Sequence, residues 1–200
     1  AALQKSKATP PFAHTQEPDT SHGRFDQRQL KVYPFEPLEA GLPGARALAV
    51  IERTTTFDVR RAITLLADRG SFFEIGKMWG RSVVTGLARL DGWPVAVMAS
   101  DPFFYGGGWT ADTSHKVIRF IDFAETFHLP VVHFVDIPGF VIGVAGEKAA
   151  TIRHGARALA AVYQSKAPWC SILMRKSFGV AGAAHQNWQK YNFRYAWPSG

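Results

Sequence analysis

The sequence predicts a mixed α/β domain built on a largely parallel sheet, and three observations predict it. Val131 to Asp136 (VVHFVD) and Trp169 to Met174 (WCSILM) are short apolar runs of the kind that form buried strands. Each is followed by a glycine-bearing loop and then by a helical pattern, an order that requires crossover connections and parallel pairing. Upstream, Val83 to Leu90 and Val95 to Ala99 flank an Asp91-Gly92 pair, the strongest short-range hairpin signal, which adds antiparallel pairing at one side.

The elements follow in order. Residues 1–56 hold six of the twelve prolines and lack hydrophobic periodicity, so they read as an extension that wraps a surface or links domains; residues 57–200 read as the folded domain. Asp58 is placed to cap a helix with Val59, Ile63 and Leu66 inward and Gly70 at its end. After the hairpin, Ser114 to His128 forms a helix capped by Ser114, with Val117, Ile121, Ala124 and Phe127 or His128 on one stripe. Glu147 to Gln164 forms another, with Ile152, Ala156, Leu159 and Tyr163 inward. A small-residue segment from Gly179 to Ala184 opens the last helix.

Composition bounds the function. The chain has 200 residues, 46% of them hydrophobic, which is ample for one packed core and excludes whole-chain disorder. Its one cysteine, Cys170, excludes a disulfide framework and fits a reducing compartment, cytoplasm or mitochondrial matrix. Leu129 to Gly146 is broken by His133, Asp136 and Pro138, so no membrane span is expected, and no signal pattern opens the chain. Of the net charge of +7, residues 148–200 carry eight basic side chains and no acidic ones. Those charges lie on two helices and a strand without interleaved aromatics, which favours an acidic covering surface or a small anionic molecule over nucleic acid.

Two loops are placed for chemistry. Ile137 to Gly146 (IPGFVIGVAG) and Ser177 to Gly182 (SFGVAG) each follow a strand and enter a helix. In open α/β sheets ligands bind outside the carboxyl ends of the strands. There, first-turn N–H groups favour an anion or a developing oxyanion. A third stretch, Asp101 to Thr110 (DPFFYGGGWT), is a weaker candidate, and none of the three has phosphate-loop or dinucleotide spacing. Side-chain catalysis has little support. Ser114 reads as a cap, His115 as solvated, His133 as a satisfied core residue, and no histidine or carboxylate has metal-ligand spacing. His154 and His185 are the titratable residues nearest the two loops. What remains is a site made mainly of backbone donors, with no metal.

Longer strings carry a resemblance. VVTGLARLDGWPVAVMASDP, HKVIRFIDFAETFHLPVVHFVDIPGF, IRHGARAL and RKSFGVAGA occur in that order, followed by RYAWP. Residues 58–200 resemble the C-terminal half of the carboxyltransferase β subunit of biotin-dependent acyl-CoA carboxylases, propionyl-CoA carboxylase among them. EPDTSHGRFDQRQL in the extension is similar to that family's interdomain segment. The resemblance implies a crotonase-like ββα spiral and transfer of a carboxyl group from carboxybiotin to the α-carbon of an acyl-CoA. It implies that biotin arrives on a carrier partner charged by a biotin carboxylase, that the CoA-binding wall belongs to another domain, and that the subunits form a homo- or hetero-oligomer. An isolated chain of this length is accordingly expected to be inactive.

Residue by residue, the resemblance puts the backbone N–H groups of Val180 and Ala181 in the role of oxyanion donors. Gly139, Phe140, Gly143, Gly179 and Gly182 fall on the biotin side. Three departures stand out. Val180 replaces the second glycine of the family's Gly-Gly-Ala, Gly182-Ala183 replaces its Tyr-Asp, and Ile142 replaces a proline. The missing acidic residue is one that shapes acyl-chain choice, so the acyl group stays open. Two other readings remain: a biotin-dependent acyl-CoA decarboxylase subunit of the same fold, and a non-catalytic scaffold in which Val180 has altered the pocket.

Overall fold

A computed structural model describes residues 56–187, 191–197 and 200. The extension expected over residues 1–56 lies outside the described residues except for Thr56. Six strands form one sheet in sequential order. They are β1 (Phe73–Ile75), β2 (Val83–Leu90), β3 (Trp93–Ser100), β4 (Val131–Ile137), β5 (Trp169–Ser177) and β6 (Asn192–Ala196). The β1–β2 and β2–β3 pairs are antiparallel, and β3–β4, β4–β5 and β5–β6 are parallel.

The hairpin has the expected turn. Leu90 pairs with Trp93 across Asp91 and Gly92, both at positive φ (51° and 81°), the backbone twist a two-residue hairpin loop requires. The Asp68 carboxylate accepts both turn N–H groups, from Asp91 at 2.9 Å and Gly92 at 2.8 Å.

Helix α1 (Val59–Leu66) starts where expected, with Asp58 accepting the Arg60 N–H at 3.0 Å. It stops at Leu66 rather than near Gly70, and Leu66 is exposed; the buried stripe is Val59, Ala62 and Ile63. Helix α2 (Ala111–Thr126) begins a turn earlier than expected because Thr110, not Ser114, is its cap: Thr110 Oγ1 accepts the Thr113 N–H at 3.1 Å. Its stripe is Val117, Phe120, Ile121 and Ala124, while Phe127 and His128 are exposed beyond its end.

The helix expected over Glu147 to Gln164 is two helices. α3 (Val144–Lys148) ends before Ala150, whose φ of 54° breaks the ladder, and α4 (Thr151–Gln164) follows. The buried face of α4 is Thr151, Gly155, Ala158, Leu159 and Val162, with Ile152 and Ala156 exposed. The last helix is a single turn, α5 (Gly179–Gly182), running into a 3₁₀ turn at Ala183–His185.

The two sheet faces are covered unequally. One face packs Val83, Met98, Val131, Val135, Trp169 and Leu173 against α2 and α4. The other packs Val84, Val97, Ala99, Phe134 and Met174 against α1. The edge strands β1 and β6 were not predicted. They are short and have no fully buried residue, so neither carries an apolar alternation.

Candidate active site

The carboxyl ends of β3, β4 and β5 carry the three glycine-bearing loops, and the fold brings all three together. Phe178 N–H donates to the Ile137 carbonyl at 2.9 Å, which ties the β5 loop to the start of the β4 loop. Gly139 (φ 133°) and Gly179 (φ 63°) then face each other: a Cβ on Gly179 would lie 3.9 Å from the Gly139 Cα. The β3 loop joins through Trp109, whose N–H donates to the Gly139 carbonyl at 3.1 Å and whose carbonyl accepts the Val141 N–H at 2.9 Å. The Trp109 and Phe140 rings meet edge to face at 6.3 Å. Sequence reasoning rated this third loop weak, because its glycines match no ligand-binding spacing; their use is close packing. Gly107 sits so near the end of β4 that a Cβ there would overlap the Asp136 carbonyl.

Each expected site residue has a definite place. Gly143 caps α3 beside open space. Phe140 is half-buried, and its ring lies on Gly155 of α4, where a Cβ would overlap it. Gly179, Val180 and Ala181 form the first turn of α5, and the Gly182 N–H returns to the Phe178 carbonyl at 3.0 Å. Residues of a first turn have no carbonyl inside the helix to donate to. Val180 is exposed, whereas the Ala181 side chain is buried in the core. Gly182 is also buried; a side chain there would strike Ser177. The positive φ of this turn falls on Gly179, and Val180 has none, so the valine fits without left-handed strain. Around the loops Ile142, Val144, Phe178 and Val180 present apolar side chains to solvent.

His185 is buried, its Nδ1 lies 2.6 Å from the Gly182 carbonyl, and desolvation pushes its pKa down. His154 is hydrogen-bonded to His115 at 2.7 Å, bridging α4 and α2, so His115 is not simply solvated. His133 is buried in β4 as expected, and desolvation lowers its pKa to about 3. The Cys170 thiol is pushed up to about 11 by burial, far from thiolate reactivity. No group of three or more His, Cys, Asp or Glu gathers to hold a metal among the described residues, and no described helix is long and apolar enough to cross a membrane.

Sequence reasoning missed the charged residues that anchor these loops. Arg60 on α1 forks Glu74 at 2.6 Å and Asp101 at 2.6 Å, and Asp101 Oδ1 caps the β3 loop by accepting the Phe103 N–H at 3.1 Å. At the ends of β4 and β5, Asp136 and Arg175 form a buried ion pair at 2.5 Å. A charged residue closing each of two otherwise apolar strands was the available signal.

The carboxyl transferase domain profile matches residues 22–200, and the chain belongs to that family. It is 33% identical over 158 residues to the propionyl-CoA carboxylase beta chain of Roseobacter denitrificans, covering 78% of this chain and 31% of the relative. It is 36% identical to the biotin-dependent long chain acyl-coenzyme A carboxylase beta4 subunit of Mycobacterium tuberculosis, over 72% of this chain and 28% of that one. Among solved structures, transcarboxylase 12S with methylmalonyl-coenzyme A bound superposes with a TM-score of 0.72 and 33% identity, over 77% of this chain and 30% of that chain. The fold is the crotonase-like fold of these carboxyltransferases. The chain spans about a third of the length of the curated relatives it matches.

Proposed function

We propose that this chain forms the biotin-side wall of a carboxyltransferase site, where a carboxyl group passes between carboxybiotin on a carrier partner and the α-carbon of an acyl-CoA. The observation that carries the reading is the meeting of the Gly139 and Gly179 loops beside the first turn of α5, in a chain of this family. An uncharged cyclic urea with an aliphatic arm needs N–H donors for its oxygen and apolar walls for the rest. Val180 and Ala181 offer the amides, while Ile142, Phe178 and Val180 offer the walls. Gly139, Phe140, Gly143, Gly179 and Gly182 shape the backbone around them. When bound, carboxybiotin supplies the carboxyl group.

The chain's own contribution is electrostatic. Fixed amide donors stabilise oxyanion charge as it develops, and removing one such donor typically costs about 10²–10³ in rate. No general-base side chain is needed in this role, which agrees with His115 and His154 bonded to each other and His185 to the Gly182 carbonyl. The unstrained valine at position 180 supports a working pocket over a scaffold. The CoA wall, the biotin carboxylase and carrier, the oligomer and a cytoplasmic or mitochondrial-matrix location belong to the same proposal; a relative from Sus scrofa, 31% identical, is a mitochondrial propionyl-CoA carboxylase beta chain.

The test is an assay of the assembled complex with ATP, bicarbonate and a panel of acyl-CoAs, with and without avidin. Carboxylation of at least one acyl-CoA, abolished by avidin, is expected. Activity that avidin leaves untouched overturns the reading.

A further inference from the structure

We propose that Asp136 is the positioning residue that sets the two site loops against each other, acting through Arg175 and the backbone of Lys176. The inference rests on the carboxyltransferase reading of those loops. It begins with a break in the sheet. Val135 pairs with Leu173 and Ile137 pairs with Ser177, so Asp136 alone on β4 faces Met174, Arg175 and Lys176 on β5. A bulge of this size leaves strand N–H groups without ladder partners and re-aims the chain beyond it. Immediately beyond it lie Ser177, the last residue of β5, and then Phe178 and Gly179, the entry to α5.

The Asp136 side chain fills that break. Its Oδ1 accepts the Lys176 N–H at 3.2 Å, standing in for a missing ladder carbonyl. Its Oδ2 accepts from Arg175 Nε at 3.1 Å and Nη2 at 2.5 Å. Both side chains are almost fully buried, 1% exposed for Asp136 and 3% for Arg175. The guanidinium also lies over the Phe57 ring at 4.9 Å, which anchors it to the segment before α1. The Asp136 backbone is held from the third loop side: its N–H donates to Ser100 Oγ at 3.1 Å, and Gly107 lies against its carbonyl. One residue therefore touches the strand ends that launch all three loops.

The geometry makes the carboxylate, not a neutral acceptor, the required group. An amide at position 136 still accepts from Lys176 but loses the carboxylate oxygen that takes both Arg175 N–H groups, and breaking a buried charged contact on one side is strongly destabilising. The bulge then relaxes, and Phe178 to Ala181 shift relative to Gly139. Displacements of about 1 Å caused by a residue away from the chemistry can cost about 10²-fold in rate.

The experiment uses the complete assembled enzyme carrying Asp136→Asn or Arg175→Lys, with Val97→Ala as a core-weakening control. Amide hydrogen exchange is followed over residues 137–143 and 177–182 and over the hairpin, 83–100. In Asp136→Asn both loop segments are expected to exchange at least about tenfold faster with the hairpin unchanged, and kcat to fall about 10²-fold with the acyl-CoA KM within about threefold. Arg175→Lys keeps the charge but loses the fork, so it gives the same pattern at smaller amplitude, and it decides the matter if Asp136→Asn does not fold. Val97→Ala leaves kcat within about twofold while raising hairpin exchange. Exchange that rises equally in hairpin and loops, or kcat within twofold of wild type in Asp136→Asn, overturns the positioning role. A wild-type complex that transfers no carboxyl group overturns the functional reading instead, and the exchange pattern alone then decides the role of Asp136.

Discussion

Two glycine-bearing connections on this sheet use the same residue type to opposite ends. In the Asp91-Gly92 turn the backbone donors are consumed inside the molecule, because the Asp68 carboxylate accepts both turn N–H groups. In the loop from Ser177 to Gly182 the positive-φ glycine starts a helical turn, whose first-turn N–H groups have no carbonyl within the helix to donate to. The first arrangement closes a hairpin. In the proposed function the second leaves donors for a ligand. Glycine content alone does not separate a structural turn from a site; the fate of the neighbouring N–H groups does.

The contrast can be broken hardest at Gly107. Its φ of 89° and its contact with the Asp136 carbonyl leave no room for a Cβ. Gly107→Ala is expected to cost about 3–5 kcal/mol, combining left-handed strain with backbone overlap, as read from denaturant midpoints. Acid comes next. The folded His133 pKa of about 3 lies below the ordinary 6.5 of an unfolded chain. Between those values the unfolded chain binds the extra proton. Stability is therefore full above pH 6.5 and falls as pH drops towards 3, by about 1.4 kcal/mol per pH unit from this group. Melting of His133→Asn across that window should show the slope reduced.

Smaller effects sharpen the contrast. Asp68→Ala removes the acceptor of the hairpin turn; a loss of about 1 kcal/mol is expected in thermal melts, with carboxyl transfer unchanged in the assembled enzyme. The smallest effect falls at position 180. Val180 has no positive φ, so Val180→Gly should change stability by no more than about 1 kcal/mol, the helix-propensity cost of glycine, and kcat by less than about threefold. A large gain in kcat would instead mean that the valine obstructs the pocket.

Much of this architecture was legible in the residues. VVHFVD and WCSILM are apolar because both their faces meet protein, and Asp-Gly is the local chemistry of a two-residue hairpin turn. The edge strands were not legible, since Phe73–Ile75 and Asn192–Ala196 bury too little to show an alternation. On the inward face of α4 Leu159 is where it was expected, but Thr151, Gly155 and Ala158 are too small to show in an apolar stripe, so the face was placed on Ile152 and Ala156 instead. The two site loops were found from their position after strands. Their anchoring was not, because pairing Asp136 with Arg175 depends on a bulge between residues 39 apart in the chain.

The central claim is that Gly179 serves a ligand-facing turn and Gly92 a structural one, and paired alanine variants test it most directly. Neither substitution meets a close neighbour: nothing lies within 4 Å of a Cβ at Gly92, and only the Gly139 Cα at 3.9 Å at Gly179. Both carry positive φ, so each variant should lose a similar amount, about 1–2 kcal/mol, the cost of a left-handed non-glycine residue. Measured as kcat of the assembled complex, Gly179→Ala should fall about 10²-fold while Gly92→Ala stays within about twofold. Equal activity in the two variants would contradict the account.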